Sequence, residues 1–263
     1  MFHRHYDQGP QLNVENLNFI TVIIDRSETS LTEVALNTWT PSLNGPPHSH
    51  EGKEQVFFVT SGHGSVTVGQ ERFQVAVGDL VYVPAGVVHQ TISEGGDPLA
   101  YLLFNAFLDT SKEGDASFAD HVEKFKKIRK RQAESGVAAV DGEAPAKASS
   151  KVGKRVHTTK TLAETEPLSQ QLVLLDRQET DRSSVIIHRW TNAAQGPTTQ
   201  ANEEVTFFVL SGQARISASG ESCVAGIGDV VFIPSNVPYL VQATQGEFRC
   251  LCLSTSLEEL PTQ

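Results

Sequence analysis

The stretch PPHSHEGKEQVFFVTSG places two histidines one residue apart, ahead of a carboxylate and an amide. Residues two apart on a β-strand point to the same side, so His48 and His50 can direct their imidazoles at one point. A further ligand must come from the same wall, where Glu54 and Gln55 follow side by side in sequence, and His89 comes after the turn VPAG. Imidazole and oxygen donors suit a borderline divalent metal such as iron, manganese, nickel, copper or zinc. The spacing predicts a metal site with three histidines and leaves Glu54 or Gln55 as the fourth ligand.

The segments that carry these residues occur twice in the chain. EQVFFVTSGHGSVTVG at 54–69 corresponds to EVTFFVLSGQARISAS at 204–219, and VGDLVYVPAGVVH at 77–89 corresponds to IGDVVFIPSNVPY at 227–239 with the same offset. Each copy consists of short apolar or alternating segments separated by turns with Gly, Pro and Asp, which is typical of antiparallel strands. The sequence therefore predicts an all-β protein with two barrels in tandem, formed by internal duplication.

A helix and a linker are predicted between the copies. Residues 117–135 have apolar side chains at helical spacing and charges around them, so we expect an amphipathic helix that covers the first barrel. Residues 136–154 are rich in Gly, Ala and Ser, which is typical of a flexible linker. The predicted boundaries are an N-terminal barrel at 1–112, the helix and linker at 113–155, and a C-terminal barrel at 156–263.

The second copy has lost the candidate ligands. The positions of His48, His50, Gln55 and His89 are taken in that copy by Thr198, Gln200, Val205 and Tyr239. A valine cannot coordinate a metal, and the tyrosine hydroxyl has a pKa near ~10, so it is a poor ligand at neutral pH. We therefore expect one divalent metal ion per chain, held by the N-terminal barrel.

Taken together, these residues resemble the cupin superfamily. Its second motif is matched by Gly78, Pro84, Gly86 and His89, while the leading glycine of its first motif is replaced by Ser42. The resemblance implies double-stranded β-helix, or jelly-roll, barrels, and it implies that the chain is a bicupin. In the first motif six residues separate the acidic or amide ligand from a glycine; counting back from Gly62 reaches Gln55. Strand alternation sends Glu54 to the opposite face, so we expect Gln55 as the ligand and Glu54 as the alternative.

Composition narrows the classes of partner. The formal net charge of -10 and a pI near 5.4 disfavour nucleic acid and anionic membranes. Three cysteines without a disulfide-like framework, no signal-peptide pattern and no long apolar segment favour a cytoplasmic protein. We expect a small-molecule substrate and pairing of the two barrels within the chain, and the sequence leaves a homodimer open.

The neutral ligand set indicates a class of chemistry. Three imidazoles and an amide leave a bound ion with its full charge, which makes it a strong Lewis acid toward carbonyl, enol or carboxylate oxygens. The set resembles that of the uronate-linearising cupins and of the bicupin isomerase of bacilysin biosynthesis. The leading hypothesis is therefore an isomerase or tautomerase of a small oxygenated carbonyl or sugar-acid-like compound, with Tyr82 as a candidate proton donor.

Two other classes stay open. Quercetinase-like bicupins, which cleave rings as dioxygenases, also combine three histidines with one protein oxygen ligand, although a glutamate is thought to act there as the base. The other class is a non-enzymatic sensor that binds a metal or a metabolite. A requirement for oxygen would identify the dioxygenase, and tightly held metal without turnover would identify the sensor.

Overall fold

A computed structural model describes residues 1–135, 139–141, 151–164, 171–191 and 202–258. The chain divides into two compact units, Gly9–Leu162 and Met1–Gln8 together with Ala163–Gln263. Each unit is built mainly from antiparallel strands, which confirms the predicted all-β class. Among the described helices, none combines the length and the apolar composition that crossing a bilayer requires.

The first strand of the chain, β1 (Phe2–His5), belongs to the second unit. The strands of the first unit are β2 (Gln11–Val14), β3 (Asn18–Ile24), β4 (Thr32–Trp39), β5 (His48–His50), β6 (Lys53–Ser61), β7 (His63–Val68), β8 (Glu71–Ala76), β9 (Asp79–Val83), β10 (His89–Ser93), β11 (Leu99–Phe107), β12 (Ala139–Asp141) and β13 (Lys154–His157). The helices are α1 (Phe118–Ser135) and α2 (Thr158–Glu164).

Two sheets make up the first unit. One has the order β13-β9-β6-β11-β4-β3-β2 and the other the order β12-β5-β10-β7-β8. The same hydrophobic cluster contains Phe57 and Val81 of the first sheet and Val66 and Val68 of the second. Each sheet therefore turns one apolar face toward the other, which is the arrangement of a jelly-roll barrel.

Helix α1 covers this barrel, as its amphipathic pattern predicts. Phe118 and Val122 belong to the hydrophobic cluster of the barrel, and Phe125 is 6% exposed. These three residues recur at helical spacing, so they lie on one face of α1. Most of the predicted flexible linker at 136–154 lies outside the described residues; within it, β12 pairs in parallel with β5.

The second unit contains the remaining strands: β14 (Gln171–Leu175), β15 (Ser183–Thr191), β16 (Glu203–Ala218), β17 (Glu221–Ala225), β18 (Asp229–Ile233) and β19 (Tyr239–Ser256). They form one sheet in the order β1-β18-β16-β19-β15-β14, with β17 paired to β16. Its own hydrophobic cluster includes Trp190, Phe207 and Phe248.

The sequence-based boundary of the first barrel is wrong at its start. Residues 1–112 were expected to form one barrel, but Phe2 to His5 pair antiparallel with β18, where Phe2 lies opposite Phe232. Their rings stack with centroids 5.8 Å apart. Backbone pairing with β18 and this aromatic contact place residues 1–8 in the second unit.

The duplication extends to the conformation of corresponding glycines in the two units. Gly62 lies between β6 and β7 with φ 72°, and Gly212 lies within β16 with φ 74°. A Cβ at Gly62 would lie 2.2 Å from the Pro98 carbonyl oxygen, and one at Gly212 would lie 2.1 Å from that of Glu247. Both positions require glycine, because the backbone is left-handed and another strand approaches closely.

Candidate metal centre

Two strands of the smaller sheet bring three histidines together. β5 begins at His48 and β10 begins at His89, and these two residues are direct partners in the antiparallel register. Their ring centroids are 4.2 Å apart, and His50, two residues along β5, lies 5.0 Å from His48 and 5.6 Å from His89. One ring nitrogen of each histidine lies within 4.8 Å of the others. The structure thus assembles the three-histidine cluster that the spacing predicts.

Backbone carbonyls orient two of these rings. The Nδ1 atom of His48 lies 3.0 Å from the Pro46 carbonyl oxygen, and that of His89 lies 3.3 Å from the Val87 carbonyl oxygen. A carbonyl only accepts, so in both rings Nδ1 carries the hydrogen and Nε2 keeps its lone pair. The two Nε2 atoms are therefore available to a metal ion.

Burial keeps two of the three histidines, His50 and His89, neutral. It lowers the pKa of His89 to about 4. Burial, followed by the positive charge of Lys53, lowers the pKa of His50 well below its ordinary value. Neutral imidazole is the form that coordinates metals. His50 and His89 are consequently in their ligating form at neutral pH.

Gln55 lines the same cavity as the histidines, and Glu54 is not among the lining residues. The Gln55 side-chain nitrogen Nε2 donates to Asn105 Oδ1 at 3.0 Å. Its oxygen Oε1 is buried, and nothing in the described part of the chain donates to it. A buried acceptor without a partner calls for a donor or a metal. An unpaired oxygen in the same cavity as three imidazoles fits the donor set of a divalent metal.

Glu54 and Tyr82 lie on the other face of the sheet. Tyr82 is opposite Val56 in the β6–β9 pairing, and its hydroxyl donates to Glu54 Oε1. Both side chains are fully buried, and neither lines the cavity. The expectation that Tyr82 is a proton donor in the pocket is therefore not met, because strand pairing turns its ring toward Glu54.

A row of polar residues fixes the orientation of the Gln55 amide. Asn105 is the cross-strand partner of both Gln55 and Glu33, so the three side chains lie side by side on β6, β11 and β4. Asn105 Nδ2 donates to Glu33 Oε1 at 2.6 Å, which leaves Asn105 Oδ1 to accept from Gln55. Because Glu33 accepts only, this order of donors turns the Gln55 oxygen away from Asn105.

Arg26 completes that row with a buried ion pair. Its Nε donates to Glu33 Oε2 at 2.5 Å, and both side chains are fully buried. The charge of Glu33, together with the neighbouring acidic groups, raises the pKa of Arg26 although burial alone would lower it. The row Arg26–Glu33–Asn105–Gln55 is thus anchored at its far end by a residue that cannot lose its charge.

A second polar group beside the histidines was not predicted. Lys53 Nζ lies 3.2 Å from Glu113 Oε2 and 3.3 Å from His121 Nε2. An ammonium only donates, so His121 accepts at Nε2 and donates from Nδ1 to Asp115 Oδ2 at 3.0 Å. Donor atoms of His50, Glu113 and His121 also come within 4.8 Å of one another. The Lys53 ammonium already supplies a positive charge to Glu113 and His121.

The cavity and its open mouth together enclose about 590 Å³, part of which is open solvent. Its lining includes the candidate ligands, Lys53 and His121, and it is otherwise largely apolar and aromatic, with Ile20, Phe57 and Phe125 among the contributors. A concave apolar site with a few convergent polar groups is the usual form of a small-molecule site. Helix α1 supplies His121 and Phe125, so the predicted covering helix also forms a wall of the cavity.

The corresponding region of the second unit is packed with side chains. Val205 and Tyr239, which replace Gln55 and His89, belong to its hydrophobic cluster, and the Tyr239 ring lies 5.4 Å from that of Phe207. Thr198 and Gln200 lie outside the described residues. Within 171–191 and 202–258, no three His, Cys, Asp or Glu side chains come within ligand distance. The expectation of a single metal-binding barrel therefore stays a prediction.

Three residues of the site were not predicted from the sequence, although a feature of the sequence pointed to each of them. Asn105 is the one amide in the buried, otherwise apolar and aromatic strand LAYLLFNAF. Lys53 precedes Gln55 by two residues and therefore shares its face. His121 lies on the same helix face as Phe118 and Phe125. In each case a polar residue at a position predicted to be buried was the available clue.

Comparison with known proteins gives a family match and two curated relatives. Residues 37–105 match the profile described as "Cupin domain". An uncharacterized protein of Streptomyces coelicolor is 52% identical over 44 residues, which is 17% of this chain and 39% of that protein. An uncharacterized protein of Methanocaldococcus jannaschii is 33% identical over 55 residues, 21% of this chain and 44% of that protein. The matches thus span less than half the length of either relative.

Solved structures resemble the whole chain. Protein Ylba from E. coli has a TM-score of 0.68 at 12% identity, covering 99% of this chain and 92% of that one. A variant of oxalate decarboxylase from B. subtilis has a TM-score of 0.66 at 15% identity, covering 98% and 78%. Another structure of that enzyme, reported for its Mn(II) centers, has a TM-score of 0.65 at 14% identity, covering 99% and 78%. At these identities the likeness concerns the fold.

Proposed function

We propose that the N-terminal barrel, whose residues 37–105 match the cupin domain profile, is a metal-dependent isomerase or tautomerase of a small oxygenated carbonyl compound. The observation that carries this proposal is the neutral donor set of His48, His50, His89 and the Gln55 oxygen in one cavity. A divalent ion bound there would supply Lewis acidity toward carbonyl and carboxylate oxygens.

The residues of the cavity suit this chemistry in three ways. The four ligands bring no negative charge, so they favour binding of an oxygen-rich, anionic substrate. The apolar walls exclude water from the reacting atoms. Lys53 and His121 line the same cavity and are joined by a hydrogen bond, and Asp115 holds the His121 ring in place. These two side chains are the candidates for moving a proton on and off the substrate.

Proton exchange tests the proposal directly. The metal-loaded protein, incubated in deuterated water with a panel of oxo acids, enols and uronates, should exchange the acidic C–H of its substrate without consuming oxygen. Elemental analysis should give about one divalent ion per chain. His50→Ala and His89→Ala should abolish both metal content and exchange, while His63→Ala, an exposed histidine, should change neither.

Three results would redirect the assignment. A strict requirement for oxygen would identify a ring-cleaving dioxygenase. Tightly held metal without turnover of any compound in the panel would identify a sensor or storage protein. Exchange that persists in His50→Ala and His89→Ala would remove the metal from the chemistry.

A further inference from the structure

Besides the row that ends at Gln55, a second series of hydrogen-bonded, buried polar side chains lines the cavity, and it contains none of the candidate ligands. The Tyr101 hydroxyl accepts from Trp39 Nε1 at 3.0 Å and from Asn37 Nδ2 at 3.2 Å. Asn37 Oδ1 in turn accepts from Asn18 Nδ2 at 2.7 Å. All four residues line the cavity.

The Trp39 indole fixes which group donates and which accepts in each of these hydrogen bonds. The Trp39 N–H only donates, so the Tyr101 oxygen accepts there, and Thr91 Oγ1, 3.2 Å away, can take the hydrogen of the hydroxyl. Asn37 turns its NH₂ group to Tyr101 and its oxygen to Asn18. The last member, Asn18, uses its NH₂ group on Asn37 and presents its oxygen.

Asn18 Oδ1 is the last acceptor in this hydrogen-bonded series. The side chain is 3% exposed, and among the residues that the structure describes none donates to this oxygen. Its neighbours in the lining include Val14 and Ile20, which have no polar side-chain atoms to offer. The same pattern occurs at Gln55, where a directed chain also ends at a buried, unpaired amide oxygen in the cavity.

We infer that Asn18 Oδ1 is a subsite that accepts a hydrogen bond from a hydroxyl group of the substrate, at a position remote from the atoms that chelate the metal. The inference rests on the proposed function, which places the acid or carbonyl oxygens of the substrate at His48, His50, His89 and Gln55. An amide oxygen attracts a hydroxyl and disfavours a carboxylate. The substrate class is therefore a hydroxylated acid, rather than an aromatic chelator without a remote hydroxyl.

Two six-carbon acids test the subsite. D-Gluconate and 2-hydroxyhexanoate chelate a metal through the same carboxylate and 2-hydroxyl, and only D-gluconate carries hydroxyls on carbons 3 to 6. Both are titrated into cobalt(II)-loaded protein, with chelation followed by the visible absorption of the metal and affinity by calorimetry. The measured quantity is the ratio of the two dissociation constants.

Asn18→Leu keeps the shape and removes the acceptor. We expect it to shift the ratio about tenfold toward 2-hydroxyhexanoate, which is the loss expected for one hydrogen bond. Asn13→Leu makes the same change on the exposed side of β2 and should leave the ratio as in the wild type. An unchanged ratio in Asn18→Leu, with both acids bound, overturns the subsite and leaves the proposed function standing.

Two further cases are a variant that does not fold and a wild-type protein that binds neither acid. Asn18→Leu leaves Asn37 Oδ1 without its donor, so the variant could fail to fold. In that event a crystal structure of the wild type with D-gluconate decides, because a hydroxyl within hydrogen-bond distance of Asn18 Oδ1 supports the subsite and a water or a carbon atom there overturns it. Failure of both acids to bind the metal-loaded wild type overturns the chelation, and the subsite with it.

Discussion

Gln55 Nε2 donates to Asn105 Oδ1 at 3.0 Å across neighbouring strands, and this hydrogen bond decides which atom of the Gln55 amide is left unpaired in the cavity. A glutamine ligand binds a metal through its oxygen, so a rotated amide would present an NH₂ group that repels the cation. The buried ion pair of Arg26 and Glu33 fixes Asn105 in turn. The orientation of one candidate ligand thus depends on a row of residues that crosses three strands.

Asn105→Leu should loosen this ligand while leaving all four donors in the chain. Without the acceptor, the Gln55 amide can rotate, and we expect metal affinity to fall by roughly 10- to 100-fold, as for other residues that orient a ligand. The cobalt(II) form should also show an altered visible spectrum. Competition with a calibrated chelator gives the affinity.

Asn37→Leu is the matched control, because it removes a buried amide from the same sheet face without contacting Gln55. It should cost stability and leave the cobalt spectrum unchanged. Wild-type affinity and an unaltered spectrum in Asn105→Leu would show that Asn105 does not orient the ligand.

A pair of adjacent substitutions tests which residue of β6 is the fourth ligand. Gln55→Ala removes the unpaired oxygen from the cavity and should lower the metal content of purified protein. Glu54→Gln should retain wild-type metal content, because Glu54 accepts from Tyr82 on the other face of the sheet. Elemental analysis of both variants, purified without a tag, gives the result. Loss of the metal in Glu54→Gln but not in Gln55→Ala would reverse the assignment.

Short sequence patterns were sufficient to predict the strands, the histidine cluster and the covering helix. The repeat and the turn residues predict the strands of both units, and the spacing of His48, His50 and His89 predicts their cluster, since residues two apart on a strand share a face. The helical spacing of Phe118, Val122 and Phe125 predicts the covering helix. These signals lie within a few residues of one another.

The remaining features of the site and fold depend on which strands are neighbours in the sheets. No short segment of the sequence predicts that order. Asn105 lies beside Gln55 and Glu33 only because β11 runs between β6 and β4. Tyr82 turns away from the cavity because of its register on β6. The pairing of β1 with β18 brings residues 2–5 and 229–233 together in one sheet. Contacts between residues so far apart in sequence are set by the fold as a whole.

His188 should make the second unit sensitive to acid. Its ring stacks on Trp190 with centroids 4.8 Å apart, its Nδ1 is buried without a partner among the described residues, and burial lowers its pKa to about 4. In the unfolded chain a histidine titrates near ~6.5. Below pH ~6.5 the His188 ring binds a proton in the unfolded state but stays neutral in the folded state. The free energy of unfolding of the second unit is therefore highest above pH ~6.5 and decreases as the pH falls toward about 4. Between pH 7.5 and pH 5 the loss should be about 2 kcal/mol.

The two tryptophans of the chain allow each unit to be followed alone. In a Trp39→Phe background, the fluorescence of Trp190 reports denaturant unfolding of the second unit at pH 7.5 and at pH 5. His188→Gln should remove about 2 kcal/mol of the acid-induced loss, because glutamine does not titrate, whereas His63→Gln, an exposed histidine of the first unit, should leave the loss intact. His50 and His89 are present in every variant, so their own protonation cancels in the comparison. An equal loss in His188→Gln and in its parent would mean that the His188 ring accepts its proton in the folded state as readily as in the unfolded one.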